Sequence, residues 1–300
     1  MSNFKQYIKR IFKIFGFDIH KIRFERDKTD FSAYNKTLYC DKKEIIKEDK
    51  NWQKIENECK ELEIPEDIKR NPFSRTKRVA FELSNLCNYS KIHIKCPLSL
   101  TQEPKILPAS IVYNVLDSLK RYNFEGEIAF HNYNEPLIDP RLFKFIEYAR
   151  QVCPKSRICI CTNGFYFTQT LADELVESGV TNINISVYSK KEMERLSKIH
   201  LKIAFRLSPI CLFDYVIPIY NSPKINNKRT CSAPLNEVII SKDGEVVLCC
   251  LDWKKVYTFG SLKDQKLEDI LKDPKIYYIY QRLKKGDRFL NICSRCPQSR

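Results

Sequence analysis

Thirteen cysteines give this 300-residue chain its clearest chemical signal. Near the C-terminus, one cysteine precedes a predicted hairpin, one ends it, and two form a C-x2-C pair; they are Cys231, Cys249, Cys293 and Cys296. Four thiolates suit tetrahedral zinc and an iron–sulfur cluster equally well. Cys250 is the alternative to Cys249, but neighbours on a strand point to opposite faces, so only one of the two should be a ligand.

A second group of soft ligands follows the predicted strand VAFEL at 79–83. Cys87, His93 and Cys96 have the spacing C-x5-H-x2-C, which could supply three ligands to a metal cluster. Two more thiols, Cys159 and Cys161, share one face of a later predicted strand, and we interpret them as core thiols.

Polar motifs stand at the ends of the next three predicted strands. They are Asn134-Glu135-Pro136, Thr162-Asn163-Gly164 and the segment from Ser186 to Ser189. If these strands are parallel, the loops at their carboxyl ends build one common site. The sequence therefore predicts that four separate elements, including the loop that carries Cys87, converge on one rim.

The elements that would position these motifs alternate along the chain. Hydrophobic periodicity predicts helices at 108–122, from 139 onward and at 168–179, and strands at 79–83, 127–131, 157–161, 182–188, 201–206 and 213–219. Alternating strands and helices imply βαβ units with right-handed crossovers. We therefore predict an α/β fold, a partial (β/α)6-type TIM barrel.

A smaller module is predicted after the barrel. The runs NEVIIS and EVVLCC around an Asp-Gly turn predict a β-hairpin, and helices follow at about 265–272 and 274–285. The predicted organisation is a lead-in at 1–78, the partial barrel at 79–225, and a hairpin-plus-helix cluster-binding module at 226–300.

The lead-in begins with a basic amphipathic stretch. Apolar residues recur at helical spacing between lysines over 4–15, which predicts a helix that ends at Gly16. Such a helix could lie on an anionic membrane surface or dock on the main domain, and the sequence leaves both open. Residues 24–77 predict an irregular or loosely helical segment.

Charge and composition limit the partners. The formal net charge is +15, from 52 Lys and Arg against 37 Asp and Glu. No arginine-rich tract or aromatic RNA-binding signature accompanies this charge, so we predict no nucleic-acid partner. Because no apolar run is long enough to span a membrane and no secretory signal is predicted, we expect a cytoplasmic protein whose cysteines do not form a disulfide framework.

The barrel motifs together resemble those of radical S-adenosylmethionine (radical SAM) enzymes. The run from Glu82 to Asn88 is similar to the family's lead-in E-x-T/S-N-x-C-N. Asn134-Glu135-Pro136 resembles its G-E-P motif, although Tyr133 and Asn134 replace the glycines. Thr162-Asn163-Gly164 matches its T-N-G motif, and Ser186 lies at the serine-bearing end of strand four.

The C-terminal cysteines extend the resemblance. Cys231, Gly244 and Cys249 are similar to the opening C-x9-15-G-x4-C of the SPASM/twitch auxiliary-cluster module, and the single-cluster twitch form is the better match. The resemblance covers about residues 79–296.

This resemblance implies a 4Fe–4S cluster on three protein ligands, an auxiliary iron–sulfur cluster, and S-adenosylmethionine bound at an open iron. Reductive cleavage of S-adenosylmethionine would give methionine and a 5′-deoxyadenosyl radical, which abstracts hydrogen from a substrate. The resemblance further implies that Glu135 positions the methionyl amine, that Ser186 lies near its carboxylate, and that Asn163 is another contact. The electrons would come from a donor such as flavodoxin or ferredoxin.

The first cluster loop departs from the family pattern C-x3-C-x2-C. If Cys96 is the second cysteine, the third position is Ser99; if Cys96 is the last, the second position is His93 and the loop is two residues longer. We favour His93 because that alignment keeps three good ligands. A remote thiol, such as Cys159 or Cys161, is a further option.

These features favour a radical SAM oxidoreductase that acts on a small molecule, for which we predict a sugar, a nucleotide-sugar or a lipid-linked intermediate. Two alternatives stay open. One is a non-catalytic scaffold that has a degenerate barrel and only the C-terminal metal site. The other, which rests on the net charge alone, is an RNA-modifying radical SAM enzyme.

Overall fold

The computed structural model describes residues 42–298 apart from 92, 94–95, 101–102, 210–216 and 226–227. The predicted amphipathic helix at 4–15 lies outside the described residues, so its contact with a membrane stays a prediction. Among the helices of this part of the chain, none combines the length and apolar character needed to cross a lipid bilayer.

The core of the fold is one open sheet of eight strands. They are β1 Arg78–Phe81, β2 Glu127–Ala129, β3 Arg157–Thr162, β4 Asn182–Val187, β5 Ala204–Pro209, β6 Glu237–Ile240, β7 Glu245–Val247 and β8 Thr258–Ser261. Their order is β5-β4-β3-β2-β1-β6-β7-β8. All pairings among β1 to β6 are parallel, whereas β7 pairs antiparallel with both β6 and β8. The α/β partial barrel is confirmed, and its sheet stays open.

Helices connect and cover these strands. They are α1 Lys42–Glu48, α2 Lys50–Glu58, α3 Glu66–Arg70, α4 Ala109–Arg121, α5 Leu142–Val152, α6 Gln169–Glu177, α7 Lys190–Leu196, α8 Ala233–Asn236, α9 Leu267–Leu271, α10 Pro274–Lys284 and α11 Asn291–Arg295. The three predicted barrel helices correspond to α4, α5 and α6. Each buries an apolar stripe, and a fully buried aliphatic side chain contributes about 1.5–3 kcal/mol.

The two faces of the sheet carry different side chains, because neighbours along a strand point to opposite sides. On one face the side chains are large, apolar and fully buried: Val79, Phe81, Ile128, Ile158, Ile160 and Ile183. On the other face, Ala80, Ala129 and Cys159 lie side by side in register across β1, β2 and β3. These small side chains leave room along what we call the concave face.

The sixth parallel strand is not where the sequence predicted it. Ile217–Tyr220 forms a 3-10 helix, so the predicted strand at 213–219 is wrong over its last three residues, and 210–216 lie outside the described residues. The sixth strand is β6, whose residues Glu237 and Ile240 lie opposite Arg78 and Phe81 of β1. The predicted hairpin therefore continues the barrel sheet, and the predicted domain boundaries stay predictions.

The described end of the lead-in is helical and packs on the C-terminal part of the chain. Asp49 caps α2 by accepting from the Asn51 and Trp52 N–H groups at 3.1 and 3.2 Å. Its carboxylate also accepts from the Tyr257 hydroxyl at 2.6 Å and from the Asn291 N–H at 2.8 Å. One buried carboxylate thus ties the lead-in to two later segments.

Candidate functional site

The carboxyl ends of β1 to β4 surround one cavity, which we call the rim cavity. It brings together eight of the residues predicted from the barrel motifs: Cys87, His93, Cys96, Asn134, Glu135, Thr162, Asn163 and Ser186. Pro136 begins the 3-10 helix Pro136–Ile138 next to them, and it is not among the residues that line the cavity. The predicted convergence of four elements on one rim is what the structure contains.

Cys87 is held by backbone and amide donors. Its sulfur accepts from the Tyr89 N–H at 3.3 Å and from Asn163 Nδ2 at 3.7 Å, while the same amide donates to Asn88 at 2.7 Å. Burial and then the Glu135 charge raise the pKa of Cys87 to about 12, and burial raises the pKa of Cys96 to about 11. Both thiols are therefore protonated at neutral pH unless a metal displaces their protons.

The loop between the two cysteines folds in short turns that carry His93 to the cavity. The His93 N–H donates to the Tyr89 carbonyl at 2.8 Å, and the Cys96 N–H donates to the His93 carbonyl at 3.0 Å. The imidazole packs edge-on against Tyr188, with Nδ1 at 3.4 Å from its hydroxyl. Ser99 lies on the following 3-10 helix, Pro97–Leu100, and is not among the lining residues.

Glu135 is the buried carboxylate of this site. It accepts from the Thr162 hydroxyl at 2.6 Å, the Asn163 N–H at 2.7 Å and the Leu137 N–H at 3.1 Å. Burial raises the pKa of Glu135 to about 7, and these hydrogen bonds oppose the rise. The motifs after β2 and β3 are thus fixed to each other through one carboxylate.

A second cavity, which we call the thiol cavity, lies in the C-terminal part. All four predicted cysteine ligands line it: Cys231, Cys249, Cys293 and Cys296. Its other walls are mostly apolar, and they include Leu248, Leu251, Leu283 and Ile292. Burial raises the pKa of Cys249 and of Cys293 well above the ordinary thiol value.

Cys250 does not line the thiol cavity, in agreement with the prediction that only one of the two neighbours is a ligand. The predicted reason is wrong, however, because β7 ends at Val247 and both cysteines lie in the turn beyond it. The Cys250 carbonyl instead accepts from the Tyr133 hydroxyl at 2.7 Å. Tyr133, which replaces a family glycine, therefore links the rim cavity to the turn that carries Cys249.

The donor set of the thiol cavity fits an iron–sulfur cluster. Cysteine thiolates are the usual protein ligands of such a cluster, and all four thiols line this one mostly apolar cavity.

The sequence interpretation assigned no role to seven other residues that line the rim cavity: Tyr89, Ser90, Leu98, His131, Asn132, Tyr133 and Tyr188. Cys159 is buried as predicted, but Cys161 is half-buried and lines the cavity. Spacing along the chain could have identified His131. It lies two residues beyond Ala129, which lies two residues beyond Glu127, and side chains at intervals of two point to the same face of a sheet. Polar residues at such positions mark the concave face.

The motif from Glu82 to Asn88 also contacts the C-terminal part of the chain. Glu82 pairs with Lys255 Nζ at 2.8 Å and accepts from the Lys242 N–H at 3.1 Å. Both partners of this ion pair are almost completely buried. Asn85 closes the loop behind Cys87. Its side-chain amide donates to the Glu103 carbonyl and accepts from the Lys105 N–H, each at 2.7 Å.

Comparisons with known proteins agree with this geometry. Residues 231–297 match the family model of SPASM, an iron–sulfur cluster-binding domain. The chain is 22% identical over 229 residues to the S-adenosyl-L-methionine-dependent 2-deoxy-scyllo-inosamine dehydrogenase of Niallia circulans, covering 73% of this chain and 91% of that protein.

Two solved structures are similar to this chain in fold. The crystal structure of BtrN in complex with AdoMet and 2-DOIA has a TM-score of 0.65 at 23% identity, covering 74% of this chain and 93% of that chain. BtrN in an open conformation has a TM-score of 0.59 at 22% identity, covering 74% and 92%. With the order of the motifs and the SPASM match, these comparisons bear out the resemblance to radical SAM enzymes that carry a C-terminal SPASM-type iron–sulfur module.

Proposed function

We propose that the protein oxidises a small polyhydroxylated ring to a ketone. The 5′-deoxyadenosyl radical would take a hydrogen atom from a carbon that bears a hydroxyl group, and the resulting substrate radical would lose its hydroxyl proton to solvent and its second electron to the auxiliary iron–sulfur cluster. The observation that carries this proposal is the rim cavity, where thiols, an imidazole and a buried carboxylate from four strand ends meet. The dehydrogenase relative acts, by its name, on 2-deoxy-scyllo-inosamine. Among the predicted substrates, an unlinked sugar-like ring is the most similar to that compound.

In this proposal Cys87, Cys96 and His93 hold the first cluster. A ligating histidine uses one ring nitrogen and hydrogen-bonds through the other, so the contact of Nδ1 with Tyr188 makes Nε2 the candidate donor atom. When bound, the cluster supplies the electron that cleaves S-adenosylmethionine. An imidazole in place of a thiolate raises the reduction potential of an iron–sulfur cluster, which makes its reduction easier.

Glu135, Asn163 and Ser186 are the proposed contacts of S-adenosylmethionine, with Asn134, Pro136 and Thr162 supporting them. Glu135 is positioned by its bonds to Thr162 and to the Asn163 N–H, so its carboxylate can hold the methionyl ammonium without rearrangement. Ser186 also lines the rim cavity, near the end of β4, and its hydroxyl can donate to the methionyl carboxylate.

The proposed ligands of the auxiliary cluster are Cys231, Cys249, Cys293 and Cys296. The proposed electron donor is a small redox protein of the flavodoxin or ferredoxin type. The net charge of +15 suits such an acidic partner, since complementary charge speeds association. Peripheral membrane contact through residues 4–15 stays a proposal that rests on the sequence alone.

The test is anaerobic reconstitution of the full chain with iron and sulfide. We expect two clusters by iron counting and electron paramagnetic resonance (EPR), and release of methionine and 5′-deoxyadenosine under strong reductant. With 2-deoxy-scyllo-inosamine present, a ketone product should form. A single cluster that persists in Cys87→Ala, with no cleavage, would instead establish the scaffold alternative.

The assignment of His93 has its own control. His93→Cys restores a three-thiolate loop, so we expect it to keep the first cluster and to lower its reduction potential. His93→Ala should lose that cluster or bind it weakly, while the auxiliary cluster stays. Equal cluster content in the wild type and in His93→Ala would show that another residue is the third ligand.

A further inference from the structure

The concave face beneath the rim cavity carries a group of polar side chains that the cofactors do not use. Arg78 on β1 extends over Ala80 and Ala129, so that its guanidinium Nη2 reaches His131 Nε2 at 2.6 Å. Asn184 on β4 lies opposite Cys161 on β3 in the sheet register. His131 and Cys161 also line the rim cavity, so this group is continuous with the cofactor site.

These side chains hold more hydrogen-bond donors than acceptors. Two donors face His131: the Arg78 guanidinium at Nε2, and the Cys161 N–H at 3.1 Å from Nδ1. A neutral imidazole accepts at only one nitrogen, and a protonated one accepts at neither. The imidazole can therefore accept from at most one of the two donors.

Two further donors lack good acceptors. Arg78 Nε is buried and outside hydrogen-bond geometry, although the Glu127 carboxylate lies 3.2 Å away. Asn184 Nδ2 faces only the sulfurs of Cys159 and Cys161, at 3.5 and 3.7 Å, and sulfur is a weak acceptor. Because donors left without acceptors are costly when buried, a ligand that brings oxygen atoms would be stabilised here.

The charges around these donors disfavour anions. Glu127 offsets the charge of Arg78. The Arg78–Glu127 pair therefore leaves no net positive charge to attract a phosphate or carboxylate group, and it tolerates an ammonium group.

We infer that Arg78, His131 and Asn184 form a substrate subsite for the hydroxyl groups of a neutral or amine-bearing ring, and that Glu127, by offsetting the charge of Arg78, disfavours phosphorylated ligands. This inference rests on the proposed function, because it places the substrate beside the S-adenosylmethionine site. It selects an unphosphorylated cyclitol or sugar over a nucleotide-linked one.

The experiment is equilibrium binding to the reconstituted full chain with S-adenosylmethionine present, using scyllo-inositol, 2-deoxy-scyllo-inosamine and myo-inositol 1-phosphate as probes. We expect the two unphosphorylated rings to bind at least about tenfold more tightly than the phosphate, the scale of one lost hydrogen bond or one unfavourable charge contact. Tighter binding of the phosphate would overturn the inference.

Matched variants locate the subsite. Asn184→Leu and His131→Phe keep the side-chain size and remove the donors, so each should weaken binding of the rings about tenfold. Asn182→Leu is the control, because Asn182 shares the strand and the face but lies opposite Cys159, whereas Asn184 lies opposite Cys161, which lines the rim cavity. Glu127→Gln should strengthen binding of the phosphate. Unchanged ring affinity in folded Asn184→Leu and His131→Phe would overturn the assignment.

Failure of the subsite and failure of the proposed function are distinguishable. If the wild type cleaves S-adenosylmethionine but binds neither ring, the subsite is wrong while the radical chemistry stands. If it binds the rings with the expected dependence on Asn184 but cleaves no S-adenosylmethionine, the proposed reaction is wrong and the subsite stands.

Discussion

The two cavities of this protein hold cysteines in opposite surroundings. The rim cavity mixes two thiols with an imidazole, amides, hydroxyls and a buried carboxylate. The thiol cavity offers four thiols among mostly apolar walls. A site that binds and orients a small molecule needs several convergent polar groups, whereas a cluster with four protein ligands needs only thiolates and a closed wall. The difference therefore supports our proposal that the rim cavity performs the chemistry and that the thiol cavity holds the second cluster.

The largest expected effect tests this separation directly. Cys87→Ser should reduce cleavage of S-adenosylmethionine to the background rate while the auxiliary EPR signal persists. Cys293→Ser should remove the auxiliary signal and leave measurable cleavage. Both are measured by 5′-deoxyadenosine release and EPR on the same preparations. Loss of both clusters in either variant would mean that the two cavities are not independent.

The second prediction concerns the ion pair that joins the two regions. Lys255→Met leaves the Glu82 carboxylate buried without its cation, which should lower the free energy of unfolding by about 3–5 kcal/mol. The control is Lys105→Met, whose exposed pair with Asp243 should contribute less than about 1 kcal/mol. Chemical denaturation measures both, and equal effects would contradict the assigned burial.

The third prediction is a pH dependence that only the rim cavity should show. Because the pKa of Glu135 is about 7 and the methionyl ammonium binds its ionised form, affinity for S-adenosylmethionine should rise with pH and be about tenfold lower at pH 6 than at high pH. Glu135→Gln should give weak, pH-independent binding over this range. A wild-type profile that is flat from pH 6 to pH 8 would contradict the prediction.

The raised pKa of Glu135 gives the stability of the ligand-free protein the opposite pH dependence: stability falls as pH rises, whereas affinity for S-adenosylmethionine rises. A carboxyl whose folded pKa lies above the ordinary value of 4.5 binds its proton more tightly in the folded state. The contribution of Glu135 to the free energy of unfolding should therefore be present below about pH 4.5 and be lost as pH rises to about 7. Comparing the pH dependence of unfolding in the wild type and in Glu135→Gln isolates this contribution.

The smallest expected effect lies at the contact between the cavities. Tyr133→Phe removes the hydrogen bond to the Cys250 carbonyl and should lower the free energy of unfolding by about 1 kcal/mol. The auxiliary EPR signal should not change. Tyr133→Leu, which also removes the ring, should have a larger effect on stability. An altered auxiliary signal in Tyr133→Phe would show that this single bond sets the position of Cys249.

Much of the site was predictable because strand ends and ligand spacing are local features. Cys87, Glu135, Asn163 and Ser186 each follow a recognisable strand, and parallel strands place their ends together. The sixth strand was not predictable in the same way, because an apolar run such as Ile217–Tyr220 suits a strand or a helical turn equally. Its place beside β1 is occupied by β6, which the sequence marked only as half of a hairpin.

The sequence by itself determined the ligand types, their grouping into two sets and the α/β order, because spacing and periodicity are properties of the chain. The tertiary structure decided which side chains share the concave face, since the contacts of Arg78 with His131 and of Asn184 with Cys161 depend on the register of the strands. It also decided that His131 and Cys161 line the rim cavity. Register and long-range contact follow from the packing of the whole sheet, and no local pattern encodes them.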